Sequence, residues 1–264
     1  MDENNLSEPQ APKPPDIPVD PPQMSEISTI ANVFFDPGET FKDLKRKPRF
    51  IIAGIIIALL VGVYTYAINV KVGEAGMRSF IAEQIDKGPG AGNMTPEQKS
   101  GAIEMQMSIS KYTRYAVPVF VFISFFIGAL LYWLGSKAFG GSGGYMQNLS
   151  VWVYSGLPPV IVGMLGNLIV LALKSADDID LAASQRGLLN ANPAFFIDGK
   201  SMPMIATFLS TFDLFAIWGW ILAAIGLGTV NKMSKGASWG LVIIIVIIGL
   251  AFRMIGAMFS GNPS

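Results

Sequence analysis

Cysteine and histidine are both absent from the chain. Their absence removes disulfides, thiol nucleophiles, the usual zinc sites, Ser-His-Asp triads and imidazole proton shuttles in one step. Charge is scarce too: charged residues make up 14 % of the chain and balance to a formal net charge of +0. No basic excess remains for a phosphate backbone, which excludes a nucleic-acid partner. Met1 to Ser7 show neither a basic start nor an apolar core, so no cleavable signal peptide is expected there. What abounds is apolar side chains, 51 % of the residues, gathered in blocks rather than spread as in a soluble domain.

Before the first block lies an acidic tail in which Lys13 is the lone cation ahead of Lys42. Pro9, Pro12, Pro15, Pro18 and Pro21 recur every third residue, the turn period of polyproline II, and so share one edge. An extended, solvated spacer is the simpler reading; a docking ligand for an aromatic-lined groove is the functional one. The segment 1–24 is therefore expected to be a disordered Pro-rich tail.

From Ser25 the pattern becomes amphipathic. Ile27, Ile30, Val33 and Phe34 stand at helical spacing, and Asp36-Pro37-Gly38-Glu39 reads as a new helix start with Asp36 as N-cap. Phe41 and Leu44 are then expected to face the bilayer, beside a basic cluster of Lys42, Lys45, Arg46, Lys47 and Arg49. The segment 25–49 thus reads as interfacial helices on an anionic membrane surface, the lipid headgroups being a first partner.

Five apolar stretches follow, each long enough to cross a bilayer: Phe50 to Val70, Tyr115 to Gly135, Leu149 to Leu173, Met204 to Val230 and Ser238 to Phe259. The basic cluster before Phe50 should stay cytoplasmic. That puts the N-terminal tail inside, 71–114 and 174–203 outside, and the C-terminus outside. Lys232 and Lys235 in the last short inner loop agree with this. In the first outer segment Thr95-Pro96-Glu97-Gln98 makes a capping box for a helix carrying Ile103 and Met107. Met105 and Met107 without His or Cys do not complete a copper site, and Asp177, Asp178 and Asp180 lack the Gly and distal Glu of an EF-hand loop. No cofactor is expected.

Ionisable residues inside spanning helices are costly, which makes Asp213 in the fourth span and Arg253 in the fifth the sharpest clues. At 1.5 Å rise per residue they lie about 13 and about 9 Å from the same membrane face. An Asp213–Arg253 ion pair between antiparallel neighbours is expected, with Asn167 of the third span at similar depth completing an intramembrane polar network. The pair can fix helix register or serve transport. Pro158-Pro159 remove two backbone donors and should kink the third span, while Gly163 and Gly166 thin its outer half for packing. The loop Phe139-Gly140-Gly141-Ser142-Gly143-Gly144-Tyr145 lacks the lysine and hydroxyl of a Walker loop; flexible glycines at a helix exit account for it.

Three stretches resemble the Yip family, the Ypt/Rab-interacting multi-pass membrane proteins and their prokaryotic relatives. They are Asp36-Pro37-Gly38-Glu39-Thr40-Phe41 through Lys47-Pro48; Gly135-Ser136-Lys137-Ala138-Phe139-Gly140-Gly141 through Tyr154-Ser155-Gly156-Leu157-Pro158; and Leu209-Ser210-Thr211-Phe212-Asp213-Leu214-Phe215-Ala216-Ile217-Trp218 through Val230. The resemblance implies a cytoplasmic N-terminus and five helices. For eukaryotic members it also implies roles in vesicle traffic and association with small GTPases. The tail here has no Asp-Leu-x-Gly-Pro motif, which places the chain nearer the prokaryotic-like branch.

The expected fold is all-α: a polytopic five-helix transmembrane bundle over 50–259, with a short C-terminal tail at 260–264. The expected role is a non-enzymatic membrane organiser or adaptor in a prokaryotic plasma membrane, with a cytoplasmic or membrane protein as partner and a homo-oligomer left open. The alternative is a small-solute or ion transporter built on Asp213, Arg253 and Asn167.

Overall fold

The computed structural model describes residues 24–88, 90–181, 187–199 and 201–260. The proline edge of the tail lies outside them. Among the described residues the regular structure is helical and contains no strand. Two short helices, α1 (Glu26–Asn32) and α2 (Pro37–Arg46), precede α3 (Ile51–Lys87), α4 (Pro96–Ala138) and α5 (Tyr145–Leu173). After these come α6 (Pro203–Leu209), α7 (Leu214–Asn231) and α8 (Lys235–Ser260). Five of them, α3, α4, α5, α7 and α8, are long and apolar enough to cross a membrane. Within each apolar window only 17–39 % is buried inside the protein, leaving most of the greasy surface for lipid.

Local signals place the starts. Asp36 accepts a hydrogen bond from the Glu39 amide at 3.1 Å, with Pro37 at the first helical position, as the sequence predicts. Thr95 and Gln98 make both arms of the capping box: the Gln98 amide donates to Thr95 Oγ1 at 3.3 Å, and the Thr95 amide to Gln98 Oε1 at 2.8 Å. The helix begun there does not stop at the membrane but runs on as the second span. α3 and α4 are therefore about 55 and about 64 Å long, against about 30 Å of hydrocarbon. Their surplus forms a helical hairpin beyond the bilayer, bridged by Arg78–Glu104 at 2.8 Å and Lys99–Asp86 at 2.7 Å. Gly73, with φ 71 and ψ −178, breaks α3 where the hairpin leaves the spanning part, a conformation that needs glycine.

The end of the bundle opposite the hairpin is closed by α2. Phe41 and Leu44, expected to face lipid, are fully buried against α5 and α7. A β-carbon on Gly226 of α7 would lie 3.0 Å from the Phe41 ring, so glycine there admits the aromatic side chain. The correction has a simple cause: the bundle's own end offers α2 a dry apolar surface, which the headgroup region cannot.

α5 is continuous through Pro158 and Pro159, both buried inside it. The missing amides leave the Tyr154 and Ser155 carbonyls without their i+4 donors. Gly219 of α7 closes on this stretch, where a β-carbon would come within 3.6 Å of the Ser155 carbonyl oxygen and the Pro159 ring. The fourth span is the one that breaks. It stops at Leu209, turns over Ser210 to Asp213, and resumes at Leu214.

Candidate functional site

The break between α6 and α7 creates two helix ends inside the bundle, and the two intramembrane charges attend one each. Asp213 is the N-cap of α7: its Oδ1 accepts from the amides of Phe215 at 2.9 Å and Ala216 at 3.4 Å. Arg253, reaching from α8, donates from Nη2 to the Thr207 carbonyl at 3.1 Å and Ser210 Oγ at 2.8 Å, and from Nη1 to Thr211 Oγ1 at 2.9 Å. Thr207 O is among the carbonyls that the C-terminus of α6 leaves without a helical donor. A carboxylate at a helix start and a guanidinium at a helix end each match the local dipole. The direct Asp213–Arg253 ion pair expected from the sequence is therefore not what these side chains make.

Asn167 joins the same region by another route. Its Nδ2 donates to the Gly163 carbonyl at 2.8 Å, while Oδ1 accepts from the amides of Leu188 at 2.5 Å and Leu189 at 2.9 Å. It thereby pins the loop that crosses the hairpin end of the bundle. Asn192 in that loop donates to Asp213 Oδ2 at 3.3 Å, and the Leu214 amide donates to the Ala191 carbonyl at 3.1 Å. Asp213, Arg253 and Asn167 thus line one cavity, of about 880 Å³, joined through the loop and the helix break rather than to one another. Its remaining wall is largely apolar and includes Ile57, Phe125, Trp152, Trp220 and Val246.

The basic cluster divides. Lys42 stays exposed and pairs with Glu39 at 2.5 Å, and Arg46 and Lys47 remain at the surface. Arg49 turns inward instead. Its guanidinium meets Asp43 with both side chains buried, and Nη1 donates to the Met24 carbonyl at 2.8 Å. Lys45 Nζ donates to the Thr229 carbonyl near the end of α7 at 3.1 Å. Burial first, then the neighbouring Lys232, holds the Lys45 ammonium below the usual lysine range. Two of the five predicted headgroup contacts are therefore spent on holding α2 in place.

A third polar centre escaped the sequence reading. Asn148 of α5 and Asn231 of α7, both fully buried, exchange amide hydrogen bonds at 3.1 and 2.9 Å. The Asn231 carbonyl also accepts from the Ser142 amide at 3.0 Å. A β-carbon on Gly143 would sit 2.3 Å from Asn231 Oδ1, so the glycine-rich loop is a close-fitting clasp and not merely a flexible exit. The signal was present in the glycine spacing. Its partner lies 83 residues away for Asn148, beyond any local pattern.

Five apolar spans, a helical hairpin and a polar-ended cavity between helices define a multi-pass integral membrane protein. The chain belongs to the Yip1 domain family, whose model matches residues 31–257. It is similar to membrane protein YknW of Bacillus subtilis (strain 168), 27 % identical over 243 residues that cover 90 % of this chain and 91 % of that protein. No solved structure matches it.

Proposed function

We propose that the protein is a non-enzymatic membrane organiser or adaptor of a prokaryotic plasma membrane, with tail and α1–α2 cytoplasmic and the hairpin outside. The observation that supports this is the fixed attachment of the tail. Met24, where the tail meets the folded part, is held by Arg49, and Arg49 by buried Asp43 of a helix locked into the core. Around that point Ile27 and Phe35 are exposed, at 80 % and 86 %, and Lys42, Arg46 and Lys47 stand ready for anionic headgroups. A proline-rich sequence that joins the chain at such a platform suits the presentation of a binding edge.

Crosslinking in native membranes tests this, comparing the full chain with one lacking residues 1–23. A protein captured by the first and lost from the second is the expected result. Identical capture by both removes the tail from the function. The cavity favours one second reading, a small-solute transporter. Cysteines introduced at Gly163, Gly166 and Ala216 distinguish the two: labelling from both sides of the membrane requires transport, whereas an adaptor admits reagent from one side at most.

A further inference from the structure

The turn between α7 and α8 gathers positive charge at the mouth of a second hollow, remote from the cavity at the helix break. α7 ends at Asn231 and α8 begins at Lys235, so the chain reverses over Lys232 to Ser234. Lys232 closes the turn at φ 56 and ψ 33, the one residue other than glycine with a positive φ among the described residues. Glycine or asparagine usually supplies that left-handed conformation after a helix. A lysine there is strained, and packing does not explain it, since the residue is exposed.

Its charge has company. Lys45 reaches the Thr229 carbonyl beside the same turn at 3.1 Å, near enough to Lys232 for the two ammoniums to repel. Lys235 stands exposed at the start of α8. The acidic side chains described at this end are engaged elsewhere: Glu39 with Lys42, Asp43 and Glu26 with Arg49, and Asp36 with the Glu39 amide. The carbonyls of Gly228 and Asn231 already accept from the Met233 and Ser142 amides. Three cations thus share one turn with no carboxylate paired to them among the described residues.

Below the turn a groove of about 440 Å³ lies between α7 and α8, with Thr229 and Lys235 at its mouth. Ile221, Ala224, Ile225 and Gly228 recur at i, i+3, i+4 and i+7 along one wall, and Trp239 stands on the other. The groove therefore follows α7 for about 10 Å toward the bilayer centre. Ile221 and Trp239 are 42 % and 40 % exposed, so it opens sideways to lipid. An apolar groove open to hydrocarbon, with unpaired cations at its surface end, is complementary to an amphiphile with a negative head.

We propose that this groove seats one anionic phospholipid from the leaflet at the α1–α2 end, its phosphate between Lys232 and Lys235 near Lys45, and one acyl chain along Ile221, Ile225 and Trp239. The site is separate from Lys42, Arg46 and Lys47, and it stands whichever side of the membrane that end faces and whether or not the tail binds a partner.

Native mass spectrometry of the full-length protein tests it, titrating phosphatidylglycerol, phosphatidylethanolamine and diacylglycerol of matched chains. Phosphatidylglycerol should bind about tenfold more tightly than either of the others. Lys232→Gly removes a charge and suits the left-handed turn, so it should lower phosphatidylglycerol affinity about fivefold at an unchanged or raised melting temperature. Adding Lys235→Gln should bring phosphatidylglycerol level with phosphatidylethanolamine. Replacing Lys42 and Lys47 with Gln, at the same membrane face, should leave the preference in place. Equal loss in that control, which would mean diffuse surface attraction, or undiminished binding in the Lys232→Gly, Lys235→Gln variant overturns the proposal. Competition by water-soluble glycerophosphoglycerol at lipid-like concentrations overturns the role given to the acyl chain. A preference that emerges only once residues 1–23 are removed overturns it in favour of the acidic tail as the occupant.

Discussion

At the α1–α2 end of the bundle polar side chains meet one another; at the hairpin end they meet helix termini and a cavity. Asp43 and Arg49 are paired in a dry setting, and Asn148 and Asn231 satisfy each other's amides in full burial. By contrast Asp213 and Arg253, although in the same cavity, are divided between two helix ends, and Asn167 spends its side chain on a loop. Direct pairing commits these side chains to one another inside the packed end of the bundle, which makes that end the foundation. At the other end the side chains serve helix termini that border a cavity, and a cavity is where a ligand can act. The polar pairs and the polar end of the cavity thus lie toward opposite ends of the bundle, while the cavity's apolar part reaches Trp152, one turn of α5 from Asn148.

Breaking the foundation should have the largest consequence. Asp43→Ala strands the Arg49 guanidinium in a buried site and should cost about 3–5 kcal/mol, read from thermal unfolding in detergent; adding Arg49→Met should recover much of it. A fall no larger than that of a surface variant would mean the pair is solvated. Asn148→Ala leaves Asn231 with an unmet amide and should cost about 1–3 kcal/mol by the same measurement.

The cavity end should respond more gently and in a pattern that reports the role of Asp213. As a helix cap it should accept Asn with a change of about 0.5 kcal/mol or less, while Ala should cost about 1 kcal/mol. Were Asp213 the buried partner of Arg253, Asn would cost several kcal/mol, as the loss of one member of a buried pair does. The smallest effect belongs to Lys45. Its ammonium is disfavoured in the folded protein, so the unfolded chain holds that proton more tightly. Stability should therefore rise as pH climbs from the lowered value toward the ordinary lysine range. Lys45→Met should flatten that rise in a melting series across alkaline pH.

Particular residues explain what was legible beforehand. The caps at Asp36 and Thr95 depend on a side chain reaching an amide two or three positions on, and so are readable in any four-residue window. The break at Ser210 to Asp213 was harder. It contains neither glycine nor proline and sits in an apolar run, so hydropathy carried one span straight through it. Its local sign was Asp213 itself, an N-cap residue immediately before Leu214, masked by the expectation that a charge inside a span must find a charge. The burial of Phe41 and Leu44 was unreadable for a different reason: an amphipathic helix looks the same whether its apolar face meets lipid or protein.

By itself the amino-acid sequence determined the five membrane crossings, the capped helix starts at Asp36 and Thr95 and the family, because crossing length, capping and motif order are properties of contiguous residues. Only the tertiary structure decided that α2 plugs the bundle, that Asn148 meets Asn231, and that Asp213 and Arg253 share a cavity without pairing. Those outcomes depend on which surfaces are left unsatisfied once the helices have packed, a quantity that no single stretch of the chain contains.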